Sequence, residues 1–344
     1  MERASFIPLF AFDTDEKSVD TYTRNLSGEC LVRDVRDLSG AEILQRVGLA
    51  IGELALFAGG PPCQGFSKQK RGAHLGDDRN RLVLEYVRLV RELEPRFFFF
   101  ENVAIFGQKR GREYISEMSK QLAHYRLVPH FYNCADYGLS QKRMRFIIVG
   151  RRADQEAPFH PPKPTVTRWA TVGEAIGDLP EPPTDYTHHP DFANHQRARV
   201  TDLNIERFSH VPQGGGWRDI PERLRLECHK GVDPKSGGWP DVYGRLEWDG
   251  QCPTITGGFD SFTRGRYGHP KQDRPLTPRE AARIQGFPDD FVFEGTRGHV
   301  RSQIGNAVPP PLAEAVGREI LRCLLCADGR IVDTAESSAQ LELI

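Results

Sequence analysis

Three short stretches of this chain carry side chains that could do chemistry on one another. Cys63 lies in Gly60-Pro61-Pro62-Cys63-Gln64-Gly65-Phe66-Ser67. The two prolines fix the backbone ahead of the thiol, while Gly65 and the polar run from Ser67 to Asp78 read as a loop able to move. A nucleophile held rigidly under a closing loop has a physical purpose; a structural cysteine buried in a proline-rich turn is the competing reading. A thiol of pKa about 8.5 is only roughly 3% thiolate at pH 7, so cationic or hydrogen-bond-donating neighbours are expected. Glu101-Asn102-Val103 leaves a run of four phenylalanines, and a glutamate there is costly to bury unless paired. A helix cap or a surface carboxylate is its alternative. Gln141-Lys142-Arg143-Met144-Arg145 supplies cations. Arginines two apart on an extended segment point the same way, so Arg143 and Arg145 are expected to reach one site. A solvated edge is the bland reading of that pair.

Alternating elements must position these groups. Phe6 to Phe12 is an apolar run ending at Asp13, and Glu16 to Leu26 follows with helical spacing. Leu54 to Ala58 runs into Gly59-Gly60-Pro61-Pro62, which ends a strand. Leu82, Val83, Tyr86, Val87, Val90 and Leu93 recur at intervals of three and four, an amphipathic helix stopped by Pro95. Phe97 to Phe100 suits a central strand covered on both faces. A helix from Tyr114 to Leu122 precedes apolar runs at 131–134 and 146–149. The pattern predicts an open, mostly parallel α/β sheet with ligands at the strand carboxyl ends, which puts thiol, carboxylate and guanidinium groups on one rim. Beyond Arg152 prolines become dense, and 184–258 carries histidine, glycine and tryptophan without sustained period, which predicts a second domain of short strands and long loops. Helical pattern returns at 279–285 and 311–325, and the segment after Asp328 is polar.

Composition bounds the partners. Lysine plus arginine total 46 against 47 aspartates and glutamates, a net charge of -1, which excludes a histone-like protein yet leaves room for a basic cleft. No run of eighteen apolar residues occurs, and the first thirty residues do not read as a secretory signal. Seven scattered cysteines suggest a reducing, intracellular setting. His188-His189 with His195 lack a cysteine at compact ligand spacing, and Cys323 and Cys326 lie on an amphipathic helix without a second pair, so core packing is favoured over metal.

The motifs occur together and in order. The chain resembles the cytosine-C5 DNA methyltransferases of bacterial modification systems through Gly59 to Ser67, Asp78-Arg79-Asn80-Arg81-Leu82, Glu101-Asn102-Val103, Gln141 to Arg145, Arg274-Pro275-Leu276-Thr277, Arg279-Glu280-Ala281-Ala282, Gln285-Gly286-Phe287-Pro288 and Gln303-Ile304-Gly305-Asn306-Ala307-Val308-Pro309. The resemblance implies a Rossmann-like α/β methyltransferase fold with a smaller, irregular target-recognition domain. It divides the chain into a catalytic domain at 1–154, a recognition domain at 155–273, a return to the catalytic domain at 274–328 and a loose tail at 329–344. It implies a DNA (cytosine-5-)-methyltransferase that takes a methyl from S-adenosyl-L-methionine, gives S-adenosyl-L-homocysteine and needs no metal. Cys63 would add to C6 of a cytosine flipped from duplex DNA, Glu101 would hold the ring at N3 and the amine, and Arg143 and Arg145 would hold the base oxygen and the carboxylate. Asp13, Thr14, Asp34, Val35, Pro61, Leu82 and Asn306 would line the cofactor site. Gln64, Ser67 and Arg79, in the closing loop, would face DNA.

The resemblance also sets expectations at its edges. The family's opening strand and glycine-rich cofactor turn have no counterpart here, so the catalytic domain is expected to be incomplete at its N-terminus, through a misplaced start, a shortened chain or natural loss. A DNA-binding or partner-dependent protein with impaired catalysis is therefore the alternative function. Gly214-Gly215-Gly216-Trp217-Arg218 and Ser261 to Arg266 are the candidate groove loops, with Arg218, Arg264 and Arg266 as readers; solvated turns are their alternative. A monomer in the bacterial cytoplasm, with a cognate restriction endonuclease, completes the expectation.

Overall fold

The computed structural model describes residues 1–62, 81–232 and 239–331. The described residues form two compact units, one within 1–133, 144–165 and 312–331, the other within 134–143 and 166–311. This differs from the expected division at 154 and 273 in three places, one of them 155–165, which falls in the first unit. The connection 134–143 and the segment 274–311 both belong to the second unit, because they bury their side chains there. Gln141 pairs with Cys252, and Pro278–Ile284 lies in the core with Leu246, Cys252, Ile255 and Phe259.

Within the first unit the described strands are β1 (Phe10–Asp13), β2 (Glu29–Val32), β3 (Leu56–Gly59), β4 (Phe97–Val103), β5 (Tyr125–Asn133) and β6 (Met144–Arg152). β1 and β2 form a parallel pair, and the others form a sheet of order β3-β4-β6-β5. β3 and β4 are parallel, but β6 runs antiparallel to both β4 and β5. The expected mostly parallel sheet is thus mixed. The ten-residue link 134–143 carries no crossover helix, and a short link can only return the chain antiparallel. Phe97 to Phe100 are all buried in β4, flanked by a strand on either side, as a continuous apolar run requires.

Helices α1 (Glu16–Asn25), α2 (Gly40–Val47), α3 (Leu82–Leu93) and α4 (Arg112–Gln121) alternate with these strands. The apolar stripe of α3, Val83, Tyr86, Val87 and Val90, packs on Phe98 and Phe100. The helix ends at Leu93, with Glu94 left-handed at φ 47 just before Pro95. In the second unit the helices are α5 (Val172–Ile176), α6 (Asp202–Ser209), α7 (Pro278–Ile284) and α8 (Arg297–Asn306). The expected short strands reduce there to isolated bridges among the described residues. Two apolar clusters hold this irregular unit, one around α5, α7 and α8, the other around Phe208, Trp217 and Tyr243. The last helix, α9 (Pro310–Ala327), buries Cys323 in the first unit, where its thiol and Arg322 both meet Pro158 O.

Candidate active site

The carboxyl end of β4 brings Glu101 against Arg145, the second residue of β6. In the antiparallel register Val103 faces Arg145 and Glu101 faces Ile147, so Glu101 and Arg145 are diagonal neighbours on one face. Arg145 Nε lies 2.7 Å from Glu101 Oε1, with side chains only 9% and 10% exposed. Arg145 Nη1 also donates to Met144 O at 2.9 Å. Either charge alone would be expensive to bury; together they are compensated.

The end of β3 is drawn to the same place. Asn102 Nδ2 donates to Pro61 O at 3.1 Å, and Tyr86 Oη donates to Phe99 O at 2.9 Å. Gly60 passes so close to the carboxylate that a Cβ there would stand 3.2 Å from Glu101 Oε2. The backbone leading to the thiol is therefore tied beside Glu101. Cys63 itself lies outside the described residues, as do Gln64, Ser67 and Arg79.

Arg143 is engaged within the second unit. It precedes β6, so strand alternation does not carry it onto the face of Arg145. It is fully buried in the second unit, where Nη1 donates to Ile255 O at 2.8 Å and Nη2 to Gly305 O and Ala307 O at 2.8 and 3.0 Å. Beside it, Gln141 Nε2 donates to Gln285 Oε1 at 2.9 Å, Gln141 Oε1 accepts from Ile255 N at 2.7 Å, and Gln285 Nε2 reaches Ile304 O at 2.6 Å. These amides and Arg143 clamp three segments through their backbones. Sequence reading assigned Arg143 to chemistry and passed over both glutamines; their only signal was membership of the motifs.

The parallel pair β1–β2 presents acidic groups at its carboxyl rim. Asp13 closes β1 exposed, with Oδ1 accepting from Asp15 N at 2.9 Å. Desolvation raises its carboxyl pKa, while Asp15 N–H works against that rise. Asp34 follows β2 and is drawn down to about 2 by hydrogen bonds from the Arg36 side chain and backbone. Val35 turns its carbonyl to Arg88 Nη2 at 2.8 Å, Leu82 begins α3 half-buried, and Thr14 is exposed. Two carboxylates at the ends of adjacent parallel strands suit the hydroxyl and amine donors of an adenosine, so these residues fit the cofactor that the motifs imply. Asn306 closes α8, exposed, with Nδ2 3.3 Å from Ser302 Oγ.

The expected DNA readers fall into two kinds. Arg264 is exposed. Arg266 turns inward, donating through Nη1 to Gly214 O at 2.6 Å and pairing with Asp241 at 3.2 Å. Arg218 lies over the ring of fully buried Trp217 at 5.7 Å, so the glycine-rich segment before it is a packed corner. His195 is likewise structural, with Nδ1 2.9 Å from Thr277 Oγ1 and Nε2 2.8 Å from Pro180 O. Among the described residues no group of three or more His, Cys, Asp or Glu could hold a metal ion, and no helix is long and apolar enough to cross a membrane.

Known proteins point the same way. The profile of the C-5 cytosine-specific DNA methylases matches residues 1–322. The type II methyltransferase M1.HphI of Haemophilus parahaemolyticus is 36% identical over 327 residues, covering 93% of this chain and 82% of its own. The type II methylase M.HgiDII of Herpetosiphon aurantiacus is 33% identical over 324 residues, covering 92% and 89%. A crystal structure described as that of a prophage-encoded DNA modification methyltransferase (E. coli) superposes with a TM-score of 0.69 at 26% identity, covering 94% of each chain.

Proposed function

Since the chain belongs to the C-5 cytosine-specific DNA methylases, we propose that Cys63, Glu101 and Arg145 are the groups with which it methylates C5 of cytosine in a specific duplex sequence. The single observation that carries the assignment is the buried Glu101–Arg145 pair, with the backbone just ahead of Cys63 tied beside it.

Each residue has a distinct task. The Cys63 thiolate adds to C6 of a base taken out of the stack, which C6 of a stacked cytosine would not permit. Negative charge then builds on the ring and its oxygen. Glu101 holds the N3 and amine edge, and a proton shared there drains that charge. Arg145 fixes the carboxylate and keeps it from turning away. Asp13, Thr14, Asp34, Val35, Pro61, Leu82 and Asn306 would hold S-adenosyl-L-methionine, which when bound would supply the electrophilic methyl for C5 and give S-adenosyl-L-homocysteine. Loss of the C5 proton and elimination of Cys63 then restore the aromatic ring and free the thiol. Arg143 holds the second unit's backbone at Ile255, Gly305 and Ala307. Gln64, Ser67 and Arg79 contact the DNA around the flipped base, and Arg264 is a further DNA contact. Arg218 and Arg266 shape the recognition loops from within.

The type II names of the relatives support placement in a restriction–modification system, with double-stranded DNA as partner and a cognate endonuclease acting on the same sequence. A monomer in the bacterial cytoplasm suits that role. The test is transfer of a labelled methyl from S-adenosyl-L-methionine to unmodified duplex DNA, run beside Cys63→Ala. Transfer by the wild-type chain that vanishes in the variant is the expected result. Equal transfer by both would remove Cys63 from the mechanism, and no transfer by the wild-type chain would overturn the activity.

A further inference from the structure

The second unit contains a cleft of about 570 Å³ whose lining takes in Ser261 to Arg264 of the expected groove loop together with residues that no motif assigns. Its lining includes five arginines, 197, 199, 264, 297 and 301, against one carboxylate, Asp260. That acid is only 8% exposed and already engaged. It accepts from Arg297 Nε at 2.7 Å and from Arg301 Nη1 at 3.4 Å. Arg297 and Arg301 stand four apart on α8, so both project from one helix face, and Asp260 fixes them there. Arg297 Nη1 donates to Gln196 O at 3.1 Å, while its Nη2 is buried with no acceptor among the described residues.

The other wall is prepared in the same sense. Arg199 is exposed and lies 5.0 Å from the ring centre of Tyr186, which steadies its guanidinium without neutralising it. Tyr186 itself holds a left-handed backbone at φ 66, with its carbonyl taken by Gln196 Nε2. Neither Arg199 nor Arg264 has a carboxylate partner among the described residues, whereas Arg197 is paired with Glu181 at 2.6 Å. The N-termini of α6 and α8 both open on the cleft through Thr201 and Arg297, adding partial positive charge.

We propose that this cleft grips the phosphate backbone of the DNA, with Arg199, Arg264 and Arg301 making the contacts and Asp260 positioning Arg301. The inference rests on the DNA-methylating reading above and adds the means by which the second unit is anchored. Phosphate is favoured over base edges because the charged lining is almost wholly donor, and forked guanidinium groups match phosphate oxygens.

The test measures binding of the full chain to two labelled duplexes of unrelated sequence from about 50 to 200 mM salt. Arg199→Gln, Arg264→Gln and Arg301→Gln are compared with wild type, and plasmid methylated by each is read by bisulfite sequencing. The first two residues are exposed, so their variants keep the fold. Each variant should weaken both duplexes equally, by roughly tenfold, and lower the slope of log K against log salt by about 1. The set of methylated cytosines should not change. Unchanged affinity and slope in all three variants would overturn the proposal, as would methylation spreading to new sequences, which marks a base reader. If wild type neither binds duplex nor methylates plasmid, the parent reading falls, and this one with it.

Discussion

Removing Arg145 should harm the fold more than removing its partner. Without the guanidinium, Glu101 remains a buried carboxylate with its charge partner gone, a loss of about 3–5 kcal/mol for such pairs. Glu101→Gln removes the charge but keeps an acceptor for Arg145 Nε, so it should cost less stability. It should nevertheless lower the methyl-transfer rate by roughly a hundredfold, the scale of losing a charge-stabilising group. Urea unfolding of Arg145→Gln, Glu101→Gln and the double variant checks the argument. The double variant should be no less stable than Arg145→Gln alone, and strict additivity of the two losses would refute the pairing. At this scale the sequence was legible where a residue's neighbours constrained it. A glutamate leaving four phenylalanines had to find a partner, and it did. Arg143 precedes β6 by one residue, so the strand alternation that sets the direction of Arg145 does not extend to it.

Elements were legible where their period was strong, as in α3 and β4, and opaque where direction depended on a link. Nothing in Tyr125–Asn133 or Met144–Arg152 states that the strands run antiparallel; that follows from the short connection between them. The same pairing hides a packing rule at Gly150. It faces Phe98 across β4 and β6, and a Cβ there would fall 1.9 Å from Phe98 Cε1. Phe98 has nowhere to retreat, since its ring is fully buried and meets Tyr125 edge-on at 5.2 Å. Gly150→Ala should therefore destabilise the first unit by about 3 kcal/mol through overpacking. Adding Phe98→Leu, which withdraws the clashing ring atoms, should return part of that loss. Thermal unfolding followed by far-ultraviolet circular dichroism measures both, and a Gly150→Ala chain as stable as wild type would refute the clash.

Across the whole molecule the chain passes between units more often than its composition reveals. Periodicity reports which face of a segment is buried, not which neighbour buries it, so 134–143 looked like part of the first domain. The interleaving nonetheless leaves a convenient asymmetry: Trp169, Trp217, Trp239 and Trp248 all lie in the second unit, so tryptophan fluorescence reports on that unit. Its buried polar centre should make it acid-sensitive. His269 is pushed down to about 4, first by burial and then by Arg274, Arg245 and Lys271, against the opposing pull of Glu280. Its Nδ1 accepts from Lys271 N and Gln272 N at 3.1 and 3.0 Å, so a proton there would also break two hydrogen bonds. The unfolded chain takes up this proton near pH 6.5 and the folded one does not, so stability must fall as the pH drops from about 6.5 to 4. The total is about 3 kcal/mol, at no more than about 1.4 kcal/mol per pH unit. Glu280 acts in a lower window. Burial alone would raise its carboxyl, but the charge and paired hydrogen bonds of Arg274 bring it down to about 2. Its contribution is complete above about pH 4.5 and disappears as the pH falls toward 2. His269→Asn keeps an acceptor for the two N–H groups and removes the titration. Urea unfolding followed by tryptophan fluorescence at pH 7, 5.5 and 4.5 should therefore show a flatter acid slope in the variant, and an unchanged slope would clear His269 of the effect.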